Sequence, residues 1–248
     1  MGRSSIVSVG LITLLALAWE AVCRLLEVPD FILPPPSGII AAAVDKAPLL
    51  FAHAGATLLE IVLGILLSVA AAVPVAIAMF SNRAVERTLT PLLVASQAIP
   101  VFAVAPLLVV WFGYGILSKV LMAAVIIFFP ITVSLLEGFK GCDREYRILF
   151  RLMGAGFWQT LRLLHWPWAL PNFFTGLKVG VSVATIGAVI GEWVGAQQGL
   201  GYLMIQANAR LRVDLVFAAI LYLSAMGLGL WTLVDFIGKK AVRWKGSS

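Results

Sequence analysis

From Thr88 to Ser118 the chain carries no Asp, Glu, Lys or Arg, and a run that long without charge leaves few folds open. Ile61–Phe80 and Leu215–Val234 are uncharged as well. A soluble domain has roughly a quarter of its residues charged; here the fraction is 12%, against 61% hydrophobic. One core cannot hide that much apolar surface, because a folded domain still exposes much of what it has. Lipid removes the difficulty, and in lipid a helix satisfies its own backbone. Six segments reach the roughly 20 apolar residues that a spanning helix needs: Ile6–Leu26, Ala56–Phe80, Leu89–Phe112, Ile116–Leu136, Phe173–Val194 and Val213–Ile237. The expected fold is an all-α polytopic membrane protein with six transmembrane helices, forming one transmembrane domain over residues 1–248.

The net charge of +6 would point to nucleic acid in a soluble protein. Here the basic residues cluster in short segments between spans, so it reads as an orientation signal, and no nucleic-acid partner is expected. With the N-terminus inside, the cytoplasmic segments hold twelve Lys and Arg, from Arg3 through Arg83, Arg87 and Arg162 to Lys245. The outer segments hold five: Arg24, Lys46, Lys119, Arg210 and Arg212. Both termini are therefore expected in the cytoplasm of a bacterial inner-membrane protein. Lys178 sits near the inner end of the fifth span, where its stem can snorkel. The apolar run behind Arg3 resembles a secretory signal, but it continues past Trp19 without a small-residue cleavage site and reads as a retained helix. Cys23 and Cys142 fall on opposite sides of this topology, which excludes a disulfide between them.

Two interspan segments carry pattern. In Leu33-Pro-Pro-Pro-Ser37 the prolines forbid a helix, and Ser37 is placed to cap a short surface helix from Gly38 to about Lys46. The longest cytoplasmic segment, about Glu137–Asn172, fits two short amphipathic helices broken at Gly154-Ala-Gly156. The first has Tyr146, Leu149, Phe150 and Met153 on one face; the second has Phe157, Leu161 and Leu164, and Pro167 and Pro171 end it. Periodicity alone leaves two readings open: docking into a groove on a partner protein, or lying in the lipid interface.

The spacing of Gly154 to Pro167, followed by Ala169-Leu-Pro171 and Thr175-Gly-Leu-Lys178, resembles the EAA loop of ABC importer permeases. Where that family has Glu-Ala-Ala, this chain has Ile148-Leu-Phe150. The resemblance runs from Leu33-Pro-Pro-Pro-Ser37 to Gly199-Leu-Gly-Tyr202 and is closest to the branch that imports nitrate, sulfonates, taurine and thiamine precursors. Ser96-Gln-Ala-Ile-Pro100, Phe128-Phe-Pro-Ile131 and Gly187-Ala-Val-Ile-Gly-Glu-Trp193 are most similar to permeases for pyrimidine precursors of thiamine. It implies a second permease copy, a cytoplasmic ABC ATPase dimer that receives the loop, and a periplasmic or lipid-anchored substrate-binding protein. The coupling residues it implies are Arg147, Phe150, Arg151, Met153, Gly154, Ala155, Phe157, Leu161 and Pro167.

Polar groups inside spans are candidates for a substrate path, because hydrocarbon penalises them. Ser96 and Gln97, beside Pro100, either line such a path or hold helices together; Thr185 and Glu192 lie in the fifth span. Glu192 reads as a path or gate residue near the outer mouth, or as the ionic partner of Arg210 or Arg212, while Glu60 reads as interfacial. Gly187, Gly191 and Gly195 give that span a smooth face that suits close contact and could mark a subunit interface. Phe128, Phe129 and Pro130 read as packing residues. His53 and His165 are isolated, no metal-ligand cluster or nucleotide-binding Gly-x-x-x-x-Gly-Lys motif is present, and no cofactor is expected. An intramembrane enzyme would need a catalytic cluster that this sequence does not contain. A stand-alone secondary transporter would need a mid-membrane coupling site, for which Glu192 is the single weak candidate.

Overall fold

A computed structural model describes residues 3–243, with side chains from residue 10 onward; Lys245 and the Arg3 side chain, both counted in the charge bias, lie outside it. All regular structure among the described residues is helical: α1 Arg3–Leu25, α2 Pro36–Asp45, α3 Ala47–Ser81, α4 Arg83–Ala98, α5 Val101–Phe112, α6 Ile116–Lys140, α7 Arg144–Leu152, α8 Phe157–Gly195, α9 Leu200–Ala209 and α10 Val213–Ala241. Four of these, α3, α6, α8 and α10, are long and apolar enough to cross a membrane, and the bent pair α4–α5 makes a fifth if counted as one span. α1 is helical across most of the segment expected for the first span.

The chain divides into two compact units. The first comprises residues 1–57 and 197–224. Its proline segment is tied down by Glu20, whose carboxylate accepts from the Ser37 backbone N–H at 3.0 Å and the Ser37 hydroxyl at 2.7 Å. Ser37 is therefore not the helix cap: Pro35 takes that place and Pro36 opens α2, since a missing N–H costs nothing in the first turn of a helix. His53 and Thr57, one turn apart on α3, accept the Gly199 and Leu200 N–H groups at 3.0 and 2.8 Å. They satisfy donors at the start of α9 that no helical carbonyl can reach.

The second unit comprises residues 58–196 and 225–248. Its centre is the pairing of α6 with α8, and the sequence permits the close approach. A Cβ on Gly176 would come within 2.6 Å of the Pro130 carbonyl oxygen, and one on Gly187 within 2.9 Å of Ala123 Cα. One on Gly191 would reach 3.2 Å from Lys119 Cα. The glycine face thus serves a contact inside the chain, where the sequence had left a subunit interface open. α3 joins on the other side of α6: a Cβ on Gly64 would lie 2.7 Å from Ala123 Cβ, and the Ser68 hydroxyl donates to the Ala124 carbonyl at 2.7 Å. Ile61, Ile127, Ile131, Val181 and Ala184 fill the space between and are fully buried.

Two expected boundaries move, both at prolines. The third span is not one helix: it bends by 100° between α4 and α5. Pro100 excludes the helical conformation for the residue before it, and Ile99 is extended, with ψ at 124°. At Pro167 and Pro171 the opposite happens. The second loop helix does not end there but continues into the fifth span, so that α8 runs unbroken for 39 residues. A π-turn over Leu161–His165, in which the Trp166 N–H reaches back to the Leu161 carbonyl, resets the ladder ahead of a residue that cannot donate to it.

Replacing Gly176 with Ala is expected to lower the stability of the detergent-solubilised protein by about 1–3 kcal/mol, the usual range for overpacking. Gly229→Ala, on α10 with nothing within 4 Å of its added methyl, should not lower it. Thermal unfolding of the two variants side by side checks this.

Candidate functional site: the loop between α6 and α8 and the polar groups of the bundle

α7 presents no buried residue. It ends in a turn that the sequence located at the right glycine. Gly154 has φ +72°, a conformation open to glycine at little cost. Its N–H donates to the Arg151 carbonyl and the Ala155 N–H to the Phe150 carbonyl, each at 3.0 Å. This hydrogen-bond pair terminates a helix and reverses the chain. Leu152 and Met153 stand 80% and 74% exposed at the tip. Arg147, Arg151 and Phe157 are exposed, while Phe150, Ala155 and Pro167 are half-buried. Leu161 departs from the expected set: it is buried among Phe139, Leu135, Ala76 and Ala169 and cannot touch a partner.

The base of the loop is an aromatic cluster. Phe80 packs against Phe139 and His165 at ring distances of 5.3 and 4.6 Å, and Phe139 against Trp166 at 6.1 Å. The His165 Nδ1 lies 3.1 Å from the Phe139 carbonyl, and Trp168 Nε1 donates to the Gly141 carbonyl at 3.1 Å. Tyr146 of α7 leans on Trp168 at 5.7 Å. The exposed limb therefore stands on a rigid seat formed by the ends of α3, α6 and α8. Cys142, in the short link before α7, is a buried free thiol, and burial pushes its pKa up, with Arg147 pulling the other way.

The four proposed path residues have different surroundings. Ser96 and Gln97 are exposed at the end of α4, just before the bend; the Ser96 hydroxyl donates to the Leu93 carbonyl at 2.7 Å and accepts from Gln97 at 3.3 Å. Ser96 also stands on the rim of a groove of about 510 Å³ between α3, α4 and α6, whose wall is otherwise mostly apolar, with Leu67, Ala71, Leu93, Val125 and Phe128. Thr185 is half-buried, and its methyl is 3.4 Å from where a Cβ on Gly227 of α10 would sit.

Glu192 lies in the last turn of α8. It is 1% exposed, and it meets Glu60, itself 3% exposed; Lys119, 8% exposed, places its ammonium 3.3 Å from the Glu60 carboxylate. Glu60 is thus buried between helices, and Arg212 pairs with Asp214 at 2.8 Å. Sequence reading missed the three-way meeting because the residues are far apart in the chain; a charge of each sign at the matching ends of three spans was the available signal. Lys178, expected to snorkel, bonds Asp235 of α10 at 3.0 Å and lies 5.5 Å over the Trp231 ring. No group of His, Cys, Asp and Glu suited to a metal occurs among the described residues.

Single cysteines placed at Leu152 and Met153 should react readily with a maleimide in membranes, whereas one at Leu161 should stay protected. Native Cys142, buried and with its thiol pushed up, should alkylate slowly. Mass shift after timed labelling measures all four.

The family described as "Binding-protein-dependent transport system inner membrane component" matches residues 49–243. The formylaminopyrimidine transport permease protein ThiX of Halalkalibacterium halodurans is 43% identical over 216 residues, covering 87% of this chain and 86% of that protein. The riboflavin transport system permease protein RibX of Chloroflexus aurantiacus is 38% identical over 237 residues, 94% of this chain and 88% of that one. In fold, the chain matches a structure of the MetNI methionine ABC transporter in an inward-facing conformation, with a TM-score of 0.67 at 20% identity over 80% of this chain and 97% of the other. With the family match spanning residues 49–243, the chain belongs to the family of binding-protein-dependent transport system inner-membrane components: it is a multi-pass ABC importer permease, a transport subunit and not the ATPase.

Proposed function

We propose that two copies of this chain form the membrane passage of an importer for a pyrimidine precursor of thiamine, with a cytoplasmic ABC ATPase dimer gripping the Arg144–Phe157 loop and an outer binding protein delivering the cargo. Both termini lie in the cytoplasm on this reading, and Arg147, Phe150, Arg151, Met153, Gly154, Ala155 and Phe157 make the contact. What carries it is the shape of the loop: an amphipathic helix with no buried residue, a tight left-handed turn, and a second limb that is the start of a spanning helix. A displacement of the tip is then transmitted directly to α8, with no flexible joint between motor and membrane. Cargo follows the 43% identity to the formylaminopyrimidine permease; riboflavin is the second reading, supported by the 38% identity over nearly the whole chain. Sulfonate, taurine or nitrate would leave the same machinery in place.

Gly154→Pro tests the coupling. Proline fixes φ near −65°, where the turn has +72°, so the reversal cannot form. Uptake by the reconstituted complex should fall by about tenfold or more, as expected when a transmission element loses its geometry, while the amount of inserted chain stays within about twofold. Normal uptake with normal ATPase binding would refute the assignment. Labelled formylaminopyrimidine and riboflavin, offered in parallel with their binding proteins, decide the cargo. Uptake by the purified chain without any ATPase would replace the importer reading with a secondary transporter.

A further inference from the structure

The Glu60–Lys119–Glu192 cluster lies outside the loop and outside the groove, and the transport reading does not use it. Its three side chains come from α3, α6 and α8, and all are nine-tenths or more buried. Burying two carboxyls and an ammonium carries a penalty that a well-packed apolar trio of similar volume avoids. The close approach of these helices does not need them either, since Gly64, Gly187 and Gly191 already bring the backbones together. Charges add something that packing lacks, a preference for one register. A small-residue face is smooth and lets helices slide; an ion pair forms at one setting only.

The neighbouring residues sharpen this. One turn to either side of Glu60 on α3 are Ala56 and Gly64, and one turn to either side of Glu192 are Ala188 and Ala196. A slip of α3 by a single turn, about 5.4 Å, would put a methyl or a hydrogen where the Glu60 carboxylate meets Lys119 and break the buried ion pair. The Lys119 backbone is itself fixed, with Gly191 of α8 closed over its Cα. On α3, Glu60, Gly64 and Ser68 follow at one-turn intervals and meet Lys119, Ala123 and Ala124 of α6 in the same order. The pairing therefore keeps one order over about two turns of α3, and its charged end is where a slip costs most.

We propose that Glu60, Lys119 and Glu192 form a register lock that positions α3 on the α6–α8 pair, so that the three helices move as one block during transport. The lock rests on the importer-permease reading for its role, and its own test does not depend on the cargo. Reversing the pair keeps one ammonium and two carboxyls in the cluster: Glu60→Lys combined with Lys119→Glu. In the full complex with its ATPase in proteoliposomes, each single reversal should lower ATP-driven formylaminopyrimidine uptake, per inserted complex, by about tenfold or more, because each leaves like charges buried together. The double reversal should recover at least about a third of wild-type uptake. Glu60→Asp, which keeps the charge but draws it back by one methylene, supplies a milder loss that stays readable where a single reversal does not insert. Should the wild-type complex hydrolyse ATP yet import no formylaminopyrimidine, the cargo reading falls, and the same pattern of loss and rescue is sought in ATP hydrolysis. Single reversals that act like wild type, a double reversal no better than the singles, or losses matched fully by reduced insertion would each overturn the lock.

Discussion

Helices in a bilayer gain little from hiding apolar surface from one another, because lipid tails are as apolar as leucine. What holds them is contact, and contact requires that backbones come close. Along the α6–α8 pair this is done by removing side chains: Gly176 faces the Pro130 carbonyl, Gly187 faces Ala123 and Gly191 faces Lys119. On the far side of α6, Gly64 makes the same approach to Ala123 from α3. Ala123 is thus clasped between two glycines from different helices. The core of the second unit, from Ile127 to Val181, closes around that clasp.

Two features take their places from this block. At one end, the aromatic seat of Phe80, Phe139, His165 and Trp166 fixes the ends of α3, α6 and α8 and supports the exposed loop. At the other, the buried cluster of Glu60, Lys119 and Glu192 ties the same three helices together. The loop's second limb is continuous with α8 through the π-turn, so the exposed loop and the packed helices are parts of one mechanical element. A break at Pro167 would have separated them.

Much of this was legible in the sequence because it is local. The turn at Gly154 follows from a glycine between two amphipathic stretches, and its hydrogen bonds are those of a helix terminator. The long apolar runs declare α3, α6, α8 and α10 by length and hydropathy. The prolines were harder. Pro100 ends a helix and Pro167 does not, and the difference depends on whether neighbouring structure can absorb a missing N–H by widening a turn. Leu161 sits at helical spacing on the apolar face that the loop was expected to present, yet it is buried against Phe139 and Leu135. What covers one residue of an apolar face is set by the helices that pack on it, which a periodic pattern does not contain.

By itself, then, the sequence determined the solvent, the helical class, the loop and its turning glycine, since composition, periodicity and φ preference act over a few residues at a time. The partners of the intramembrane charges were decided only by the tertiary structure. Nothing in the order of the chain puts Glu192 beside Glu60 until the helices are packed. Lys178 could reach for the interface until Asp235 of α10 came within 3.0 Å of it. The energy of a buried charge depends on what stands within a few ångströms, and those neighbours come from segments that the chain brings together only on folding.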